Sequence, residues 1–95
     1  MNLGKVVGTV VSTRKEPVLD GIRFLLVRLV DTDGKETSSF VVAADAMGAG
    51  PGEMVLTAAG SSARQTSMTD KKPVDNVIMA IVDTWEVNGE TKYTK

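Results

Sequence analysis

The run Ile22 to Asp31, IRFLLVRLVD, constrains this chain more than any other stretch. As a strand it puts Ile22, Phe24, Leu26, Arg28 and Val30 on one face and Arg23, Leu25, Val27, Leu29 and Asp31 on the other. Both faces are mostly apolar, whereas a half-solvated antiparallel strand alternates apolar with polar positions. The run Val77 to Val82 has the same two-faced character. Any fold must therefore cover both sides of two strands, and no long helical periodicity is present to supply a covering helix. With 95 residues the chain makes a single domain, residues 1–95, with a thin core.

The other segments also read as strands and turns. Val6, Val7, Val10 and Val11 have β-branched strand composition. Gly4 and Gly8 fall within that strand at even spacing, hence on one face, where a bend or a close backbone approach is expected. Asp33-Gly34 and Asn88-Gly89 are hairpin signals for type I′ turns, which need positive φ at both central residues. Ser39–Ala44 and Glu53–Ala58 supply further strands. Ser62-Ala63-Arg64-Gln65 matches a capping box and predicts one helical turn. Thr66 to Pro73 is polar and reads as an exposed, mobile loop. Phe24 and Phe40 read as core, and Trp85 and Tyr93 as a pair across the second hairpin.

The fold expected is mainly all-β: a small OB-like antiparallel β-barrel of five to six strands with one short helical turn. A barrel covers only the inner face of each strand. The outer faces then call for another subunit, with a seam at Leu25, Val27 and Leu29 or their opposite-face neighbours; a covering loop is the alternative.

Composition removes much chemistry. There is no histidine, the usual general base, and no cysteine for a disulfide or thiolate site. Net charge is −1 and the basic residues are scattered, against the basic patch and stacking aromatics of a single-stranded nucleic-acid module. That module is the alternative function an OB-like barrel raises, and on this composition nucleic acid is not the expected partner. The N-terminal run lacks a signal-peptide pattern and no segment reaches membrane-span length, so no membrane partner is expected, and a cytoplasmic location is.

The stretch Phe40 to Arg64 holds the candidate site residues. Gly48, Gly50 and Gly52 are spaced G-x-G-x-G and lead into a strand, so neither a dinucleotide fingerprint nor a Walker loop is present. They predict positive φ or close backbone approach. Ser61 and Ser62 lack the G-x-S-x-G elbow and any nearby base. Asp45, Glu53, Asp75 and Asp83 lack calcium-loop spacing. Arg64 invites a bidentate carboxylate, with Asp45, Glu53 and Asp83 as candidates. No catalytic, cofactor or metal residue is assigned.

The ordered motifs GTVVSTRKEPVLDGIRFLLVRLVD, VAADAMGAGPGEMVLTAAGSSARQ and PVDNVIMAIVDTWEV resemble the EutN/CcmL family of bacterial microcompartment vertex proteins. The resemblance covers essentially the whole chain. Asp45 to Glu53 and Gly60 to Arg64 are its most distinctive runs; Met47, where a branched aliphatic is usual, and a short tail after Val87 depart from it. It implies an OB-like barrel that assembles into a homopentamer and caps shell vertices beside hexameric shell proteins. Under that reading Asp45, Gly48, Ala49, Gly50, Gly52, Glu53, Ser61, Ser62 and Arg64 belong to a subunit interface or a five-fold pore loop. Arg64 then pairs across or beside the interface.

Overall fold

The computed structural model describes residues 1–95. Five strands close a barrel: β1 (Asn2–Val10), β2 (Phe24–Val30), β3 (Glu36–Asp45), β4 (Met54–Ala59) and β5 (Asn76–Ile81). Their order around the barrel is β1-β2-β3-β5-β4. A separate hairpin follows, of β6 (Thr84–Val87) and β7 (Glu90–Thr94). The helical content is two short 3-10 turns, Pro17–Leu19 and Gly60–Arg64. The barrel is OB-like as expected, with one amendment. It closes through a parallel pairing of β3 with β5, Ala44 opposite Val77 and Asp45 opposite Ile78.

The barrel interior is packed by Val6, Leu25, Val27, Ala43, Val55 and Ile78, with Ala49 entering from the β3–β4 loop. Leu25 and Val27 are fully buried within one chain and Leu29 is half-buried on the same inward face. This corrects the expected seam: those residues form the barrel interior. Their opposite-face neighbours, Phe24, Leu26 and Arg28, point outward instead.

A second cluster lies outside the barrel wall, where Ala44, Ala58, Ala63, Val74 and Val77 pack together. It covers the outer face of β5 with the chain's own 60–74 segment. The chain thus covers β5 with its own segment, while the alternative that Leu25, Val27 and Leu29 sit under a loop does not hold, because they face the barrel interior. The segment 66–73 is folded back as part of that cover. Thr69 is fully buried, and its hydroxyl donates to the Ala63 carbonyl at 2.6 Å.

Local turn chemistry differs from expectation in three places. The β2–β3 connection spans five residues, with Gly34 at φ 80° and Asp33 outside the positive-φ region. There the Asp31 carboxylate accepts from the N–H of Asp33 (2.9 Å) and Lys35 (3.0 Å), an Asx cap that a two-residue type I′ turn could not provide. The 60–64 turn has Ala59 at its N-cap and no side-chain cap, so Ser62 lies inside the turn and no capping box forms. In β1 a bulge between Val6 and Gly8 breaks the period of two. Gly4 therefore faces inward against Val27, while Gly8 pairs with the outward Leu26. The second hairpin follows expectation: Asn88 and Gly89 both have positive φ, and Trp85 and Tyr93 stack with ring centroids 4.9 Å apart.

Candidate functional site

The loop between β3 and β4 is organised by one carboxylate. Asp45 ends β3 almost wholly buried, and its Oδ1 accepts from the N–H of Met47 (3.0 Å), Gly48 (3.0 Å) and Ala49 (3.2 Å). Its Oδ2 accepts from Arg23 at 3.2 Å, and the same guanidinium reaches the Ala49 carbonyl at 3.3 Å. Three convergent N–H groups form the kind of nest that binds anions. Here the protein's own carboxylate fills it. That is why the glycine run cannot serve as a phosphate cradle, and it also places Ala49 as a plug in the barrel end.

Gly48 and Gly52 adopt φ of 73° and 82°, which only glycine takes without steric cost. Gly50 does not; instead its N–H donates to Glu53 Oε1, and a Cβ there would fall 3.3 Å from that oxygen. Glu53 Oε2 meets Lys95 Nζ at 3.0 Å. The Gly50 N–H foremost, then Lys95, holds the Glu53 carboxyl below its ordinary range, and Glu53 pushes the Lys95 ammonium up. The loop is also stitched to β1, with Gly52 N–H donating to Val6 O at 2.8 Å and Val6 N–H to Glu53 O at 3.0 Å. Met47, Gly48, Pro51 and Gly52 are left exposed at the tip.

Arg64 does not join this network. Its guanidinium donates to the Val74 carbonyl at 3.3 Å, while Asp45 is engaged by Arg23 and Glu53 by Lys95. Asp83 also makes no ion pair within the chain, so the expected Arg64–carboxylate pair does not form inside one subunit. Ser61 and Ser62 are exposed on the 60–64 turn, apart from any base. Arg23, invisible to motif reading because it sits in an apolar run, is the cation that Asp45 uses.

The surface without cover lies on β1, β2 and β3. Phe40 is 56% exposed and Val42 41% exposed, so Phe40 is not core. The Arg28 guanidinium lies over the Phe40 ring, 5.7 Å from its centroid. Phe24 is half-buried, packed against the outer cluster. Trp85 is occupied in the hairpin, with Nε1–H donating to Thr32 O at 2.8 Å. The aromatics are thus spent on local packing rather than arrayed along a groove for stacking bases.

A self-satisfied loop and an apolar outer sheet face define an all-β module built for protein–protein assembly. Comparison with known proteins agrees. The family model described as "Ethanolamine utilisation protein EutN/carboxysome" matches residues 1–83, and the chain belongs to that family. The chain is 46% identical to the carboxysome shell vertex protein CcmL of Gloeobacter violaceus over 95 residues, 100% of this chain and 95% of that one. It is 47% identical to the bacterial microcompartment shell vertex protein PduN of Salmonella typhimurium over 88% of this chain and 97% of that one. The solved Gloeobacter violaceus CcmL superposes with a TM-score of 0.96 at 46% identity, covering 100% and 98% of the two chains. The GrpN pentameric microcompartment shell protein of Rhodospirillum rubrum does so at 0.85 and 42% identity, covering 92% and 99%.

Proposed function

We infer that this chain is a structural shell protein whose copies close into a cyclic pentamer capping the vertices of a bacterial microcompartment. The observation that carries the reading is the full-length likeness, in sequence and in fold, to shell vertex proteins. The geometry supplies the physical reason. Flat hexameric tiles make planar facets, and a closed polyhedron needs a five-fold unit at its corners. A small barrel with an uncovered apolar flank is a suitable wedge for such a ring. No reaction is asked of the chain. The Asp45 carboxylate and the loop N–H groups are consumed by one another, and the assignment is non-enzymatic. Its partners are further copies of itself and hexameric shell proteins, within the shell in the cytoplasm.

The test has two parts. Native mass spectrometry is expected to give five times the 10.1 kDa chain mass. Co-expression with hexameric shell proteins is expected to give closed polyhedra by electron microscopy, and open or elongated bodies when this chain is left out. A persistent monomer, or closed shells in its absence, would sink the reading.

A further inference from the structure

Outside the barrel, the β6–β7 hairpin is the least held part of the chain. None of its residues is buried, and it forms a two-stranded sheet of its own. A two-stranded hairpin by itself is only marginally stable in water. Its side-chain ties to the barrel gather at its base: Trp85 Nε1–H to the Thr32 carbonyl, Lys92 to Asp33 and Lys95 to Glu53. The tip, from Asn88 to Thr91, is exposed throughout. The hairpin also lies beyond residues 1–83, which the family model matches.

The chain has three asparagines, in different surroundings. Asn2 pairs with Thr57 and Asn76 with Ala59 in the barrel sheet, and each precedes a residue with a bulky side chain, Leu3 or Val77. Asn88 precedes Gly89. The Gly89 nitrogen has no Cβ beside it, an added Cβ would meet nothing within 4 Å, and its N–H donates to no group of the chain.

We propose that Asn88 is a deamidation site, converted without an enzyme whenever the hairpin tip opens. The Gly89 backbone nitrogen attacks the Asn88 side-chain carbonyl carbon and gives up its proton. The side-chain amide leaves as ammonia, which closes a cyclic imide. Water then opens the imide at either carbonyl, giving aspartate or isoaspartate. Nothing is oxidised or reduced: a water is consumed and an ammonia released. In the closed turn Asn88 and Gly89 stand at φ of 51° and 81°, the geometry of a type I′ turn. Ring closure needs the Asn88 backbone to rotate out of that geometry, so the rate follows opening of the hairpin. Little holds the tip shut, since exposed segments with few buried contacts open at low free energy.

The product alters the element. A new carboxylate joins the exposed Glu86 and Glu90 on a chain whose net charge is already −1. Isoaspartate routes the main chain through its side-chain carbon and lengthens the turn, which then no longer fits the pairing of Val87 with Glu90. The barrel takes no part, and its strands stay paired. This modification stands independently of the ring reading above.

The test ages the folded full chain at mildly alkaline pH. Peptide mass spectrometry is expected to find the amide-to-acid mass increase at Asn88 at least roughly tenfold faster than at Asn2 or Asn76. Labelling by an isoaspartate methyltransferase is expected to appear at the same position. Conversion at Asn88 no faster than at Asn76 would overturn the proposal. Trp85→Ala loosens the hairpin base by removing both the Tyr93 stack and the Thr32 bond. It is expected to raise the Asn88 rate several-fold and to leave Asn2 and Asn76 unchanged. An unchanged Asn88 rate, or an equal rise at all three, would remove hairpin opening as the gate. Amide NMR spectra of the aged chain are expected to change for residues 84–95 and 32–34 alone. Changes spread through the barrel strands would refute the confinement of the effect to the hairpin.

Discussion

At the scale of single residues, Asp45 does the most. One buried carboxylate satisfies three backbone N–H groups and faces one guanidinium. Hydrogen bonds to a charged group are stronger than neutral ones, and losing the acceptor leaves the buried Ala49 N–H unpaired and the Arg23 cation without its carboxylate. Asp45→Ala is expected to lower unfolding free energy by about 3 kcal/mol, and Asp45→Asn, which keeps an oxygen acceptor, by about 1 kcal/mol. Urea unfolding followed by far-UV circular dichroism at fixed chain concentration checks both. Glu53 contributes a pH dependence. Its folded pKa lies below the ordinary value of 4.5, so its contribution is complete above that value. The contribution is lost as pH falls through the lower folded value. The urea midpoint difference between wild type and Glu53→Gln is therefore expected to be constant near neutrality and to shrink in acid below pH 4.5. Lys95, with its pKa raised from 10.5, gives the opposite limb, complete below that value and lost as pH rises through the folded one. The loop glycines were legible from composition. The carboxylate that orders them was visible only as a candidate, because its partner Arg23 lies 22 residues away.

At the scale of elements, β1 shows how a strand serves two surfaces. Before its bulge it faces β4, pairing Asn2 to Lys5 with Thr57 to Met54; beyond it, Gly8 to Val10 pair with β2 alone. The two glycines of β1 consequently differ. A Cβ on Gly4 would lie 2.4 Å from Val27 Cγ1 and 3.2 Å from the Arg28 carbonyl. A β-branched neighbour is stiff at χ1 and cannot swing aside. Gly4→Ala is expected to cost about 2 kcal/mol as overpacking. At Gly8 the nearest atoms stand at 3.8 and 3.9 Å, and alanine is expected to be nearly neutral there. Thermal unfolding of the two variants side by side separates the cases. The strands themselves were readable from β-branched and two-faced runs. The bulge was not, because one inserted residue leaves composition unchanged while reversing which side later residues face. The 60–74 cover was missed for a related reason: its single buried polar anchor, Thr69, looks like any other residue in TSMTDKKP.

At the scale of the whole molecule, the barrel order followed from strand count and the absence of helices, while the parallel β3–β5 closure did not. Two pairs of residues make that closure, and they are far apart in sequence. The need for a partner was also legible, since two-faced strands in so short a chain exceed what one barrel can hide. Which strand kept its outer face bare was a three-dimensional fact: β5 is covered by the 60–74 segment and β2 is not. Assembly of folded chains stabilises the fold by mass action. The Tm of the wild-type chain is expected to rise with protein concentration, while that of Val42→Glu stays constant; scanning calorimetry over a hundredfold range decides it.

The chain's one tryptophan, Trp85, is tied to the Thr32 carbonyl and stacked on Tyr93, so it sits at the joint between hairpin and barrel. That makes it an optical gauge of the joint. Its emission is expected to shift to the red whenever the hairpin undocks, even while the barrel's own strands stay paired. Fluorescence and circular dichroism should then part company in any variant that loosens the joint alone, such as Asp33→Ala, which removes the ion pair to Lys92 at 3.3 Å.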